Sequence, residues 1–430
     1  MTRARILADY VSSGDELLLK APLISPALVT PNLGTPSAGV MTNMTGAVTA
    51  SLVDDAVTGA KIENNPTIAG NLTVSGDLVP STPLSHRNMI INGAMNVAQR
   101  NTSNLNTGGE GYTTVDRFRW TSGDYTDNFD FTQASITGVA GITKAWKVVN
   151  DVDEGSVPDA HIVGVQYKVE AQDFIRVLEA DGTGTVPFTL SFYAKVSTGT
   201  GTYSVYLDLP DTSSSANSRY TSSFTVSDAN WNRYEINIPA NSAGIVTNNN
   251  GNGLDINWIL VAGADFTGGT TGAWAVSSSN NNKKVSGQTQ LWSGATGRSF
   301  ELTGVQLELG SNTTPFEHRS YGDELEACKR YYQEVKNCQT TARENTSTRY
   351  RINHSYVKEM RDVPALARTS NNLSFNASGS SKSSSDTTQA QGATISNNCF
   401  IQDFGGFSDL VDGGTHGSDA NVAWTMNAEL

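Results

Sequence analysis

The stretches TLSFYAKVS (189–197) and TYSVYLDL (202–209) decide the fold class of this chain of 430 residues. Apolar side chains occupy every second position in both, and the residues between them are mostly polar. The alternating apolar residues are Leu190, Phe192, Ala194, Val196, Tyr203, Val205, Leu207 and Leu209. A period of two is typical of β-strands that bury one face. The segment NRYEINIP (232–239) repeats the pattern and predicts a third strand.

Polar turn segments separate these strands. Examples are STGTG (197–201), DTSSSANS (211–218) and NNNGNG (248–253). Many short strands joined by turns rich in Gly, Ser and Asn indicate an antiparallel sandwich. At this size a jelly roll is the commonest form. The sequence therefore predicts an all-β protein with a β-sandwich of the jelly-roll type.

A change of phase in SFELTGVQLEL (299–309) predicts a β-bulge. Phe300 and Leu302 alternate on one face, and the apolar series resumes at Val305 with a shift of one residue. One extra residue at Thr303–Gly304 restores the alternation, and glycine tolerates the backbone conformation of a bulge. We therefore expect a bulged last strand of the sandwich.

The segment GDELEACKRYYQEVK (322–336) predicts one short helix after that strand. Asp323 is placed to cap it, with Glu326 three residues later. Four apolar residues follow a spacing of 3, 4 and 3, which makes a heptad seam two heptads long. They are Leu325, Cys328, Tyr332 and Val335. Two interpretations stay open: a seam where three chains meet, or a helix packed on its own domain.

The two ends of the chain differ from the middle. Residues 1–85 contain frequent prolines and lack aromatic residues after Tyr10, so they predict no conventional core. Short alternating pieces such as IAGNLTVSGDLV (68–79) cannot bury a face alone and predict a short, intertwined shaft. A disordered tail is the alternative. Residues 337–430 again alternate and predict a small β-domain.

Composition excludes several functions. The net charge of −13 disfavours nucleic-acid binding, which needs clustered Lys and Arg. No apolar run is long enough for a membrane span, so no membrane insertion is expected. The odd number of cysteines and the absence of a CxxC pair indicate neither a disulfide framework nor a zinc site.

Two tryptophans near loops are the candidate ligand-binding residues. Indole rings present flat apolar faces that sugars can stack on, and polar side chains nearby can pair with hydroxyl groups. Trp274 and Trp292 lie outside long apolar runs and are predicted as exposed platforms, with core packing as the alternative for each. Trp146, Trp258 and Trp424 lie within apolar alternation and are predicted as core residues.

No pattern in the sequence predicts catalysis or a cofactor. Carboxylate pairs such as Asp127 with Asp130, or Asp208 with Asp211, are expected by chance among 42 acidic residues. The Asp-rich segment DYTDNFDF (124–131) offers oxygen ligands for a structural calcium, but its spacing does not match an EF-hand loop and a solvated turn is the stronger interpretation. We therefore expect a protein that is not an enzyme and needs no cofactor.

GVQLELGSNTTPFEHRSYGDELEACKRYY (304–332) resembles a segment of bacteriophage tail-fibre proteins of the type found in cyanophages and other aquatic phages, whose jelly roll is similar to carbohydrate-binding modules. It is the most specific of several segments that carry this resemblance, and their order along the chain agrees with it. The others are LLLKAPLISPALVTPNLGTPSAGVMTNMTG (17–46), DDAVTGAKIENN (54–65), NPTIAGNLTVSGDLV (65–79), RNMIINGAMNVAQRNTS (87–103), GYTTVDRFRW (111–120), MRDVPALA (360–367) and WTMNAEL (424–430).

The resemblance implies a homotrimeric tail fibre in the virion, assembled in the host cytoplasm. Its N-terminus would contact other tail or baseplate proteins, and it would bind host polysaccharide or lipopolysaccharide at several sites at once. It divides the chain into 1–40 (virion anchor), 41–85 (trimeric shaft), 86–318 (jelly roll), 319–336 (linker helix) and 337–430 (β-tip). The predicted anchor residues are Leu17, Leu18, Leu19, Leu23 and Ile24. A glycan-cleaving tailspike-type enzyme and a purely architectural appendage remain as alternatives.

Overall fold

The structure, a computed structural model, divides into two compact units, Met1–Leu78 and Val79–Leu430. It describes residues 85–430 except for 124–127, 154, 180–183, 199, 211–216, 243–245, 278–282, 289–291, 293, 336–340, 347–348, 369–372, 378–379, 385–392, 405–414 and 419–423. The predicted anchor (1–40) and nearly all of the predicted shaft (41–85) lie outside the described residues, as do Asp127, Asp211 and Cys338.

In the described part of the chain, twelve strands lie between Ser103 and Leu309. They are β1 (Ser103–Thr107), β2 (Phe118–Gly123), β3 (Phe129–Ser135), β4 (Lys144–Asn150), β5 (Ile162–Glu170), β6 (Phe188–Val196), β7 (Gly201–Leu209), β8 (Asn217–Val226), β9 (Asn232–Ile238), β10 (Asn252–Ala262), β11 (Trp274–Ser277) and β12 (Ser299–Leu309). A short helix, α1 (Ala171–Phe174), follows β5 and leads into a 3-10 turn at Ile175–Val177; a second 3-10 turn is Ala264–Phe266.

These strands make two antiparallel sheets of six. One has the order β1-β3-β4-β12-β6-β9, and the other has the order β11-β8-β7-β10-β5-β2. The alternating residues predicted to be buried in β6 and β7 are all at most 1% exposed, and they belong to one large core cluster. The protein is therefore an all-β fold with a β-sandwich of the jelly-roll type, as the sequence predicts.

The predicted bulge lies in β12. The pairing of β12 with β6 changes register between Thr303 and Gln306, and Gly304 has φ +59°. A Cβ on Gly304 would lie 2.7 Å from Cδ2 of Tyr193, so a side chain has no room there. Beyond the bulge, the backbone N–H of Val305 donates to the carbonyl of Gly93 at 3.0 Å. The bulge thus lets one strand bond to β6 and to the segment that enters the sandwich.

The helix after the sandwich is shorter than predicted. Helix α2 (Tyr321–Lys329) begins at Ser320, whose hydroxyl accepts from the backbone N–H of Asp323 at 3.1 Å. Ser320 and not Asp323 is therefore the N-cap. Arg330 is the C-cap, and the chain then enters a strand.

The predicted heptad seam is wrong for this reason. Tyr332 and Val335 lie on a β-strand that pairs with residues 424–427, so the seam does not continue along a helix. Leu325 is half-buried, whereas Cys328 is completely buried within the same chain. Pairing with the last strand overrides the helical spacing, and Leu325, Cys328, Tyr332 and Val335 do not form one face.

The rest of the chain adds two smaller sheets. Its strands are β13 (Tyr332–Val335), β14 (Thr341–Thr346), β15 (Arg349–Ser355), β16 (Ala365–Arg368), β17 (Leu373–Ala377), β18 (Ser380–Ser384), β19 (Ala393–Ile395), β20 (Cys399–Phe404), β21 (Thr415–Ser418) and β22 (Trp424–Asn427). One sheet has the order β13-β22-β16, and the other has the order β18-β17-β21-β14-β15-β20-β19. A separate core with Trp424 and Met426 supports the predicted C-terminal β-domain.

A buried ionic cluster joins this region to the sandwich. Arg117 is 1% exposed, donates to Oε2 of Glu429 and to the carbonyl of Lys168, and lies 3.4 Å from the ring centroid of Tyr331. Arg100 bonds to the other oxygen of Glu429 at 3.2 Å. Glu429, the second residue after β22, is therefore held by two guanidinium groups of the sandwich. We call Arg100, Asp116, Arg117 and Glu429 the joint cluster.

Because Asp116 is buried in the joint cluster, we expect the stability of the protein to depend on pH. Burial raises the pKa of its carboxyl from 3.8 to about 6, although Arg100 and Gln99 oppose the rise. A raised folded pKa means that the folded state binds the proton more tightly, so this group stabilises most below pH 3.8 and loses that contribution as the pH rises through 6. We expect Asp116→Asn to reduce the loss of stability between about pH 5 and pH 7.5 by about 1–2 kcal/mol.

Denaturant unfolding of both chains at the two pH values measures this difference. Asn keeps an oxygen that can accept from the backbone N–H of Gln99, now bonded at 3.0 Å. An equal pH dependence in Asp116→Asn and the parent chain would show that the carboxyl does not titrate in this range.

Candidate functional site

A cavity beside Trp274 is the first candidate site. Trp274 begins β11 and pairs with Tyr220 of β8. Its ring lies 5.6 Å from the ring of Tyr220 and 6.5 Å from that of Phe188, so the indole packs against the sandwich core. Its Nε1 donates to the carbonyl of Pro239 at 2.8 Å, which fixes the orientation of the ring.

The cavity has a volume of about 380 Å³ and is lined by Ser218, residues 239–242 and residues 272–275. The indole is half-buried, and the remainder of the lining is small or polar. A fixed aromatic wall beside short polar side chains suits a ligand that has an apolar face and a rim of hydroxyl groups. Trp274 therefore borders a cavity, and its role as a platform for a ligand stays a prediction.

Trp292 does not fit the prediction of an exposed platform. It is 0% exposed and lies 6.0 Å from the ring of Phe129 in a stacked arrangement, and 6.2 Å from the ring of Trp120. The indole fills the space between the two sheets, where its large apolar area is removed from water. No face of Trp292 is available to a ligand, and the prediction for this residue is wrong. Trp146, Trp258 and Trp424 are core residues as predicted.

The outer face of the second sheet carries a row of polar side chains, and Asp208 alone among them is a residue that the sequence patterns single out. Because residues such as Trp120, Val165 and Trp258 point into the core, their neighbours along β2, β5 and β10 point outward. Strand pairing places these outward residues side by side across the sheet. We call them the polar row: Arg119, Gln166, Asn257, Tyr206, Asp208 and Arg219.

Side-chain hydrogen bonds connect the polar row. Arg119 donates to Oε1 of Gln166 at 2.8 Å, and Nε2 of Gln166 donates to Oδ1 of Asn257 at 2.9 Å. Further along, Arg219 donates to both carboxylate oxygens of Asp208 at 2.7 Å. These residues are unusually buried for the outer face of a sheet: Asn257 is 0% exposed and Arg219 is 9% exposed.

Two other segments border the polar row. Glu110 accepts from Arg119 at 2.7 Å at one end. At the other end, Lys284 lies with its Nζ 5.8 Å from the ring centroid of Tyr206 and 5.1 Å from that of Phe266. Burial lowers the pKa of Lys284 and Arg219 nearby lowers it further, whereas the carboxylates of Asp208 and Glu110 oppose the fall. Glu110 and Lys284 therefore flank the polar row.

A larger cavity of about 740 Å³ lies between α2 and the sandwich. Its charged side chains hold the entering backbone: Arg176 donates to the carbonyl of His86 at 2.7 Å, and Glu317 accepts from the N–H of Asn88 at 2.8 Å. Arg319 donates to the carbonyl of Asn88. The charged residues that line this cavity therefore have a structural role, since they hold the segment that enters the sandwich.

The described residues give no structural support to a metal site or to catalysis by Asp208. Among them, no three His, Cys, Asp or Glu side chains are grouped to hold a metal ion. Both oxygens of Asp208 are bonded to Arg219, which holds this carboxylate in a structural pair. Among the same residues, no helix is long and apolar enough to cross a membrane.

No protein-family model matches the chain, and no curated relative matches it. Solved structures do: a putative sugar binding protein from Bacteroides thetaiotaomicron is 15% identical, covers 52% of this chain and 100% of its own, and has a TM-score of 0.28. The CBM22-1 xylan-binding domain of Paenibacillus barcinonensis Xyn10C is 9% identical, with coverages of 49% and 100% and a TM-score of 0.24. The N-terminal cellulose-binding domain of Cellulomonas fimi β-1,4-glucanase C is 12% identical, with coverages of 50% and 100% and a TM-score of 0.22. At these scores, function has to be argued from the residues of this chain.

Proposed function

We propose that this chain is a glycan-binding fibre component of a phage virion and attaches to host-surface sugars without covalent chemistry. The observation that carries the glycan-binding proposal is Trp274: its indole is fixed by the bond to Pro239, is backed by the core, and borders a cavity lined by small and polar residues. The virion setting rests on the resemblance of residues 304–332 and the other quoted segments to tail fibres.

The change Trp274→Ala tests the proposed sugar site. We expect binding of the full chain to host envelope polysaccharide to weaken at least about tenfold, because a central aromatic anchor is removed. Isothermal titration calorimetry of purified polysaccharide fragments against both chains measures the change. Trp231→Ala is a matched control, since Trp231 is also half-buried but lies beside Lys195 on the other sheet. Equal affinities of Trp274→Ala and the parent chain would refute the site.

The partners follow from the same proposal. Residues 1–40 would bind a tail or baseplate protein, and residues 41–85 would wind three chains together. A trimer that engages several weak sites at once gains avidity without new contacts. Analytical ultracentrifugation of the full chain would contradict the trimer if it found a folded monomer. Locating the chain in an image of the virion tests the fibre assignment.

A further inference from the structure

The amide and carboxylate oxygens of the polar row accept hydrogen bonds from within the protein. Oε1 of Gln166 accepts from Arg119, and Oδ1 of Asn257 accepts from Gln166. Both oxygens of Asp208 accept from Arg219. Each of these oxygens therefore already accepts one hydrogen bond from within the protein.

The same is true of Glu110 at the edge. Its Oε2 accepts from Arg119 at 2.7 Å, and its Oε1 accepts from the hydroxyl of Thr121 at 3.2 Å and from the N–H of Ser122 at 3.3 Å. The carboxylate thus holds Arg119 in place.

Donors remain unused. Asn257 is 0% exposed, and its Nδ2 has no hydrogen-bond partner. A buried donor without an acceptor is unfavourable, so an acceptor brought to it would stabilise the protein. Lys284 forms no ion pair within 4.0 Å among the described side chains, although its ammonium group is partly removed from water between two rings.

The charges of this face also favour a ligand that is a hydrogen-bond acceptor with negative charge. In a chain with net charge −13, the row and its borders hold one more cation than carboxylates. Asp255 and Lys168 are cross-strand neighbours beside the row and offset each other. The cations are Arg119, Lys168, Arg219 and Lys284, and the carboxylates are Glu110, Asp208 and Asp255.

We propose that the polar row binds the carboxylate of an acidic sugar unit, with Lys284 as the pairing cation. Asn257 supplies a second donor through its unpartnered Nδ2. The choice of a sugar chain rests on the proposed glycan-binding function. The site itself is independent of Trp274, since Arg219 points to the outer face of β8 whereas its neighbour Ser218 lines the Trp274 cavity.

Oligogalacturonate and its methyl ester form a matched pair of probes, because esterification removes the charge and keeps the sugar. We expect the full chain to bind the acid at least about tenfold more tightly than the ester. This preference should decrease as the salt concentration rises from about 50 mM to about 500 mM, because salt screens a partly exposed ion pair. Lys284→Met should abolish the preference, and Lys284→Arg should retain most of it.

Lys147→Met is the control for general charge, since Lys147 lies on β4 of the opposite sheet. Thermal unfolding of each variant establishes that it is folded. A sulfated oligosaccharide of equal length tests the source of the anion: tighter binding of the sulfated probe than of oligogalacturonate would overturn the assignment to a carboxylate.

A direct readout separates this inference from the proposed function. On titration with galacturonate, the side-chain amide resonances of Asn257 should shift in the parent chain and not in Lys284→Met. Equal binding of acid and ester, or unchanged binding by Lys284→Met, overturns the inference while leaving a neutral sugar site at Trp274 intact. Loss of neutral-sugar binding in Trp274→Ala, with the acid preference unchanged, supports two separate sites.

Discussion

Replacing Arg117 by Ala should lower the free energy of unfolding by about 3–5 kcal/mol, the range found when one partner of a buried ion pair is removed. Arg117 is 1% exposed and contacts Glu429, the carbonyl of Lys168 and the ring of Tyr331. Without it, Glu429 stays buried with only Arg100 as a partner, and the ring of Tyr331 loses its covering cation. Denaturant unfolding followed by tryptophan fluorescence measures the change.

We expect the large loss of stability in Arg117→Ala because its charge is buried, and not in a variant that removes an exposed charge. Lys329→Ala removes an ion pair with Glu326, whose side chain is 48% exposed, so its effect should be within about 1 kcal/mol. A double-mutant cycle with Glu429→Gln should return a coupling energy of at least about 1 kcal/mol. A loss as small in Arg117→Ala as in Lys329→Ala would show that the joint cluster does not hold the C-terminal strands to the sandwich.

The sandwich could be predicted from the sequence because its information is local. Alternation in β6 and β7 identifies the buried face of each strand without any knowledge of its partner. The bulge at Gly304 could also be found, since a shift of phase in one strand is visible in that strand alone. The bulged glycine and the buried alternate residues follow from the geometry of a strand beside a core.

Long-range pairing explains what the sequence did not predict. Tyr332 and Val335 continue the helical spacing of the preceding residues. In the structure they instead pair with residues 424–427 in a sheet, and the sequence near position 332 does not identify that distant partner. The two loop tryptophans look alike in sequence, but Trp292 inserts between the sheets and Trp274 stays at an edge.

The polar row left a signal that could have been used. Gln166 and Asn257 each lie between core residues along a central strand, so their side chains point outward. On that outer face, each has polar neighbours on the two adjacent strands. Knowing that these two face each other requires the strand order, which places β10 between β5 and β7. Single-sequence patterns give the face of a residue, whereas the identity of its cross-strand neighbour comes only from the fold.

The change Gly93→Ala should destabilise the sandwich by about 2–4 kcal/mol, because it forces an atom into a closed contact. A Cβ on Gly93 would lie 2.2 Å from the carbonyl oxygen of Val305. That oxygen belongs to the backbone next to the bulge of β12, which cannot move away as a flexible side chain would. The backbone N–H of Val305 also donates to the carbonyl of Gly93, so relief of the clash would break this hydrogen bond.

Gly155→Ala is the matched control, since a Cβ on Gly155 has no heavy atom within 4 Å and the substitution should change stability by less than about 1 kcal/mol. Thermal and denaturant unfolding of both variants compares the two sites. A Gly93→Ala chain as stable as Gly155→Ala would mean that the entering segment adjusts independently of β12. The expected loss instead means that residues 88–95 are an integral layer of the sandwich, because their backbone bonds to β12 at both Met89 and Gly93.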